Sequence, residues 1–387
     1  MFTLDNMIKI SSYYAYPFNK LKMIHIGGTN GKGSTSNILY HVLKQKFKVG
    51  IYTSPYELRR FDNIKINDQT INSFDINKII KRYETSFNQF QLSEFEIDTW
   101  IALMWFLEES VDYAIIEVGL GGIDDATNVI TPILSIITNV GYDHVDILGH
   151  HIKDIAFVKA GIIKPGVPII IGPHMDFDAK KVIYDVALSK QSKLIESTLL
   201  HYESLNPLEI TYNDETYLLE DIPHYQLENL STACEALSYL NAHEVQIESD
   251  MIKQGFTSFH VPKRFQVLRR NPLLIMDGAH NLEGINALIT SILKLEIKME
   301  LTIIFGVLKD KPYEKMIEAL SEISKDLHFF QFIHERALDI DQVTSKKIMM
   351  HKDLNDIKLL LNKPFVVITG SLYFLRAIDP IIKEMIS

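Results

Sequence analysis

The chain has 387 residues, of which 47% are hydrophobic and 23% charged, with a formal net charge of −10. That length suffices for two or three domains with a sizeable core, and the composition excludes a disordered or collagen-like chain. No run of Lys and Arg is dense enough to neutralise many phosphates, so nucleic-acid binding is not expected and an anionic ligand needs a local site.

The single cysteine, Cys234, cannot form an intrachain disulfide, which fits a reducing compartment. The first twenty residues place Asp5, Asn6 and Lys9 where a secretory signal would need an apolar run. The longest uncharged stretch, 126–142, is broken by Thr127, Asn128, Thr131, Pro132 and Asn139, and roughly 20 mostly apolar residues are needed to span a bilayer. A cytoplasmic protein without membrane contact is expected.

In chain order, the short β-branched runs Met23-Ile26, Val49-Tyr52, Tyr113-Val118, Ile133-Thr138 and Val167-Ile171 predict buried strands separated by amphipathic helices. Ile38, Leu39, Val42 and Leu43 recur at helical spacing, so 34–47 is a predicted helix. Alternation of Ile210, Tyr212, Tyr217 and Leu219 around Asn213-Asp214 predicts a hairpin, followed by a helix over 223–240. The pattern breaks over 255–264, and a new series of strands is predicted at Leu273-Met276, Leu301-Phe305, Phe329-Ile333 and Phe365-Thr369. The expected architecture is α/β: a P-loop ATPase domain with a mostly parallel sheet over 1–262, and a smaller Rossmann-like domain over 263–387.

The sharpest motif is Gly27-Gly28-Thr29-Asn30-Gly31-Lys32-Gly33-Ser34, between the first predicted strand and its helix. Glycines let backbone N–H groups converge on phosphates, the helix N-terminus favours negative charge, and Lys32 can reach the β and γ oxygens. The strict GxxxxGK[ST] pattern is not met: Ile26 stands at the first glycine, and Gly33 follows the lysine, so another residue must supply the hydroxyl for Mg²⁺. A glycine-rich turn with a solvated lysine is the plainer alternative. Glu117 ends one strand and Asp143-His144 lies beyond another, at the carboxyl edge of a parallel sheet, where a carboxylate and an imidazole can hold Mg²⁺ or Mn²⁺. Without the wider context, both fit a structural role.

The segment 28–34 resembles the phosphate loop of the folylpolyglutamate synthase/dihydrofolate synthase family, the folate branch of the Mur ligase superfamily. Further matches run in order along the chain: Tyr52-Thr-Ser-Pro55, Ile116-Glu-Val-Gly-Leu-Gly-Gly122, Asp125-Ala-Thr-Asn128, Ile137-Thr-Asn-Val-Gly-Tyr-Asp-His144, Leu148-Gly149, Lys159-Ala-Gly-Ile-Ile-Lys-Pro-Gly166, Asp277-Gly-Ala-His-Asn281 and Gly370-Ser-Leu-Tyr373. The resemblance implies an ATP-dependent ligase that adds L-glutamate to dihydropteroate or a reduced folate, with ATP across the cleft between two domains of a monomer. It implies that Thr29, Asn30, Gly31, Lys32, Gly33 and Ser34 hold the phosphates and that Ser54, Glu117 and His144 ligate the metal. By the same resemblance Lys159 is carbamylated and helps hold a second Mg²⁺. Gln226 and Asn229 would contact adenine, Arg264 the ATP phosphates, and Asp277 and His280 the nucleotide and the amino acid.

From spacing alone, Gln226 and Asn229 share one face of a helix whose other face carries Leu227, Leu230, Cys234 and Leu237, so Cys234 is expected to be a buried small hydrophobe. Five positions depart from the family pattern: Tyr56 for His, Ile123-Asp124 for Arg-Leu, Val158 for Glu and Lys263 for Gly. The last bears on backbone geometry, because glycine adopts conformations that lysine disfavours. A Mur-superfamily ligase for another acid and amino acid, or a non-catalytic nucleotide-binding switch, would share the same core motifs.

Overall fold

The structure, a computed structural model, describes residues 3–56, 59–205, 207–259 and 261–386. Two compact units divide it: Met1–Leu200 with Gln226–His260, and His201–Tyr225 with Val261–Ser387. A single cut near 262 was expected from the break in pattern. The segment 201–225 instead groups with the C-terminal unit, where the Asp221 carboxylate accepts from the Arg270 guanidinium and Tyr225 packs on the core built around Ile275 and Phe305.

The first unit is built on an eight-stranded sheet. Its strands are β1 (Met23–Gly27), β2 (Val49–Tyr52), β3 (Ile64–Ile66), β4 (Gln69–Thr70), β5 (Tyr113–Glu117), β6 (Leu134–Ile137), β7 (Ile169–Ile171) and β8 (Leu194–Glu196), in spatial order β4-β3-β2-β5-β1-β6-β7-β8. The pairs from β2 to β8 are parallel, and only β3 and β4 run against their neighbours. Every residue of β1, β5 and β6 is buried, as central strands covered on both faces must be. On one face Trp100, Phe106 and Met104 of the helix Glu94–Glu108 pack with Phe18, Tyr52 and Ile116. That helix starts with a reciprocal cap: the Ser93 hydroxyl accepts from the Glu96 N–H and the Glu96 carboxylate accepts from the Ser93 N–H.

In the second unit, β9 (His201–Leu205), β10 (Leu208–Tyr212) and β11 (Glu215–Leu219) form an antiparallel sheet. The predicted hairpin is β10 and β11, and Asn213 and Asp214 both take positive φ, 51° and 61°, as a two-residue hairpin turn requires. A six-stranded sheet follows in the order β12-β13-β17-β14-β15-β16, from β12 (Gln266–Arg270), β13 (Leu273–Asp277), β14 (Leu301–Gly306), β15 (Asp326–Phe330), β16 (Met349–His351) and β17 (Phe365–Gly370). The strand expected at 329–333 is β15, displaced three residues toward the N-terminus: pairing with β14 aligns Thr302 with Asp326, and the Thr302 hydroxyl donates to the Asp326 carboxylate at 2.6 Å. Edge strands β12 and β16, half-exposed or short, lack the continuous apolar run that marks a central strand.

Candidate functional site

The turn after β1 is held open by hydrogen bonds from the loop after β6. The Asn139 side-chain oxygen accepts the Thr29 and Asn30 N–H groups at 3.1 and 2.8 Å, the Thr29 hydroxyl exchanges bonds with Gly141, and the Thr138 hydroxyl donates to the Asn30 carbonyl at 2.6 Å. Gly31, at φ 81°, then starts the helix Lys32–Leu43, so the loop ends on a helix N-terminus whose first N–H groups have no intrahelical partner. The Lys32 ammonium folds back to the Gly28 and Thr29 carbonyls at 3.1 and 3.2 Å. Lys159, buried in the last turn of the helix Ile152–Ala160, donates to the same Gly28 carbonyl at 2.8 Å. Two cations from distant parts of the chain thus converge on one loop.

Glu117 stands at the carboxyl end of β5, buried, with one carboxylate oxygen accepting the Ser54 N–H at 3.3 Å. A side-chain carbon on Gly33 would sit 3.5 Å from that oxygen, so the residue after the lysine faces the carboxylate directly. Ser54 and Glu117 are therefore brought together, beside the loop. His144 lies at the start of the four-residue helix Val145–Leu148, at φ 49°, with its N–H donated to the Asp143 carboxylate at 2.9 Å. Among the described residues no group of three or more His, Cys, Asp or Glu side chains is gathered as a metal site. The donor set of Ser54, Glu117 and His144 is one carboxylate, one hydroxyl and one imidazole, hard enough for Mg²⁺ or Mn²⁺ when phosphate oxygens and water complete the shell.

Gln226 and Asn229 open the helix Gln226–His243, and both are buried. The Gln226 amide donates to the Ser34 hydroxyl at 3.0 Å, and the Asn229 amide donates to the Gln226 side-chain oxygen at 2.8 Å. A side chain on Gly31 would strike the Asn229 oxygen. These contacts tie the Gln226 amide to Ser34 and the Asn229 amide to Gln226, beside the phosphate loop. On the same helix Cys234 is buried, and burial pushes its thiol above the ordinary range, as expected of a small hydrophobe.

In the second unit Asp277 ends β13 and is buried. One carboxylate oxygen accepts the Phe265 N–H at 2.7 Å and the Tyr225 hydroxyl at 2.6 Å, and the other accepts the Ala279 N–H at 2.8 Å. Burial, then the Asp277 charge, hold the Tyr225 phenol well above its ordinary value. The Arg264 guanidinium and the His280 Nδ1 both donate to the Gly278 carbonyl at 2.9 Å, so His280 carries its proton on Nδ1 there. Lys263, which stands where the family pattern has glycine, is buried at φ 59°, in the left-handed region glycine favours. Asn281 caps the helix Leu282–Leu293 by accepting the Gly284 N–H at 2.8 Å.

Four contributors were not singled out from the sequence. Asn139 and Thr138 lay inside the motif at 137–144 without an assigned role. Asp125 accepts the Leu120 and Thr127 N–H groups at 2.8 and 3.0 Å, shaping the loop after Glu117, and burial raises its carboxyl. Tyr225 carries no local signal at all.

Comparison with known proteins agrees with this geometry. The Mur ligase middle domain matches residues 26–195, and the Mur ligase glutamate ligase domain matches 263–369. The dihydrofolate synthase/folylpolyglutamate synthase of Bacillus subtilis is 31% identical over 97% of this chain and 94% of its own length. The folylpolyglutamate synthase of Lacticaseibacillus casei is 33% identical over 94% of this chain and 90% of its own. Among solved structures, Mycobacterium tuberculosis folylpolyglutamate synthase complexed with ADP and AMPPCP superposes with a TM-score of 0.87 at 25% identity, covering 98% of this chain and 95% of that one. A folylpolyglutamate synthase complex with AMPPCP and folate gives 0.83 at 31% identity, over 98% and 95%. Among the described residues no helix is long and apolar enough to cross a membrane. With its phosphate loop, the carboxylate at the sheet edge and these full-length similarities, the chain belongs to the folylpolyglutamate synthase/dihydrofolate synthase family of Mur ligases.

Proposed function

We propose that this protein is an ATP-dependent ligase that joins L-glutamate to a folate-type carboxylate, dihydropteroate or a tetrahydrofolate, through an acyl phosphate. The observation that carries this reading is the phosphate loop, which brings Lys32 and a helix N-terminus beside the Glu117 carboxylate. A carboxylate is a poor electrophile at neutral pH. Its oxygen attacks the γ-phosphorus of ATP, ADP leaves, and the resulting acyl phosphate carries a good leaving group. The glutamate amine then attacks the acyl carbon, loses a proton, and inorganic phosphate departs. Lys32, the loop N–H groups and Arg264 offset charge on the transferred phosphoryl group. Gln226 and Asn229 keep the loop in shape, and His280 is assigned to the amino acid.

Ser54, Glu117 and His144 would hold Mg²⁺, which supplies charge neutralisation at the phosphates when bound. Support for this set is the pairing of Ser54 with Glu117, and the glycine after Lys32 that leaves the carboxylate open to the loop. Carbamylation of Lys159, in which the ammonium first loses a proton and the free amine adds to CO₂ with release of a second proton, would turn its buried cation into an anion suited to a second Mg²⁺. A crystal structure with nucleotide, Mg²⁺ and an unmodified Lys159 would remove that part of the proposal.

Phosphate release from ATP and Mg²⁺ with L-glutamate tests the reading, comparing dihydropteroate, tetrahydrofolate and no acceptor. Release that requires both glutamate and a pterin acid is expected, and it should vanish in Lys32→Ala. ATP binding without acceptor-dependent release would favour a nucleotide-binding switch instead.

A further inference from the structure

The loop that leaves Glu117 and the end of the helix carrying Lys159 are stitched together. The Ile123 N–H donates to the Val158 carbonyl at 3.0 Å. A side-chain carbon on Gly122 would come within 2.6 Å of the Val158 oxygen and 2.9 Å of the Lys159 oxygen, so the backbones approach too closely for any larger residue. One amide bridges the two segments: Asn128 Nδ2 donates to the Ile123 carbonyl at 3.0 Å and to the Gly161 carbonyl at 3.3 Å. Gly161 ends the helix whose last turn holds Lys159. Asn128 is in turn held by Lys164, whose ammonium donates to the Asn128 main-chain carbonyl at 2.6 Å.

Two features of this arrangement work against stability. Asn128 Oδ1 is buried with no hydrogen-bond partner, the consequence of turning Nδ2 toward two carbonyls. The Lys164 amine is pushed down to about 8 by burial and then by the nearby Lys190 charge, and His25 is held below its ordinary range by burial first and then by the Lys164 charge. A hydrocarbon side chain would fill that space at lower cost. Local choices that oppose stability are expected where a site needs a fixed geometry.

We propose, on the reading of the chain as an ATP-dependent ligase, that Asn128 and Lys164 are positioning residues that fix Lys159 relative to Glu117. They act through two backbone segments. Asn128 sets the spacing between the loop after Glu117 and the end of the Lys159 helix, and Lys164 keeps Asn128 from turning away.

The test is Lys164→Met, with Lys164→Arg as the conservative variant and Asn128→Ala as an independent break in the same link. Thermal unfolding and calorimetric binding of a non-hydrolysable ATP analogue with Mg²⁺ are measured alongside turnover. The linkage has a definite sign: an amine with a folded pKa near 8, below its ordinary 10.5, burdens the native state fully below pH 8, and relief comes as pH rises between those values. Lys164→Met should therefore unfold at a higher temperature than the parent at pH 7, with the advantage shrinking toward pH 10.5. It should nevertheless bind the Mg²⁺–analogue complex about 10-fold more weakly and show kcat lower by about 10- to 100-fold, the scale of a misplaced reactive group. Lys164→Arg should restore most of both, and Asn128→Ala should reproduce the losses.

Variants that bind and turn over like the parent overturn the proposal. So does a loss of binding that only follows a loss of stability across the set, which marks a merely structural role. Analogue binding does not depend on the acid substrate. A parent that binds without turnover therefore leaves this test decisive while refuting the ligase reading, and a parent that binds no analogue refutes both.

Discussion

Replacing Gly31 with alanine probes how the phosphate loop keeps its shape. Gly31 sits at φ 81°, a left-handed conformation that costs an L-residue about 1–2 kcal/mol. The new methyl group would also collide with the Asn229 side-chain oxygen, so that amide must turn away. Its bond to Gln226 at 2.8 Å is then lost, and a buried partner left unsatisfied costs about 1–3 kcal/mol. Against these stands about 0.4–1 kcal/mol from the stiffer unfolded chain. The net expectation is a destabilisation of about 3 kcal/mol, read by urea unfolding, with weakened binding of an ATP analogue because Gln226 loses its hold on Ser34. A double-mutant cycle isolates the collision: in an Asn229→Ala background the same substitution should cost only about 1 kcal/mol, the backbone strain alone. Equal cost of Gly31→Ala in both backgrounds would refute the contact between Gly31 and Asn229 as the origin of the loop's rigidity.

Two further outcomes follow from the site. His144→Ala should raise the Mg²⁺ concentration needed for half-maximal phosphate release, and an unchanged metal titration would remove His144 from the metal set. Lys263→Gly should raise stability by up to about 1 kcal/mol, since φ 59° is costly for lysine and free for glycine. Chemical unfolding at neutral pH checks it, and a clear loss of stability would mean that the buried lysine side chain matters more than its backbone.

Much of this molecule is written in short-range patterns. Short runs rich in β-branched and other apolar residues placed β1, β2, β5 and β6, because a strand covered on both faces is largely apolar. Asn213-Asp214 placed the hairpin turn, because few residues tolerate two successive positive φ angles. The glycine-rich stretch between a strand and a helix placed Lys32 and the phosphate loop, and the order of motifs along the chain carried the family. The edge strands β12 and β16 were not legible, since half-exposed or short strands carry no such run, and β15 was displaced because its boundary is set by pairing with β14.

What the tertiary structure alone decided is which distant residues meet. Gln226 reaches Ser34 across 192 positions, Lys159 reaches Gly28 across 131, and Asn139 reaches Asn30 across 109. The segment 201–225 joins the C-terminal unit through Asp221 and Tyr225, against the simpler division its place in the chain suggests. Periodicity and turn chemistry describe each residue against its near neighbours, so they settle element type and local shape. Polar side chains such as Asn128, Asn139 and Lys164 look like surface residues by that measure. Asn128 is buried and Asn139 and Lys164 are half-buried, each hydrogen-bonded to a partner far along the chain that near-neighbour patterns do not encode.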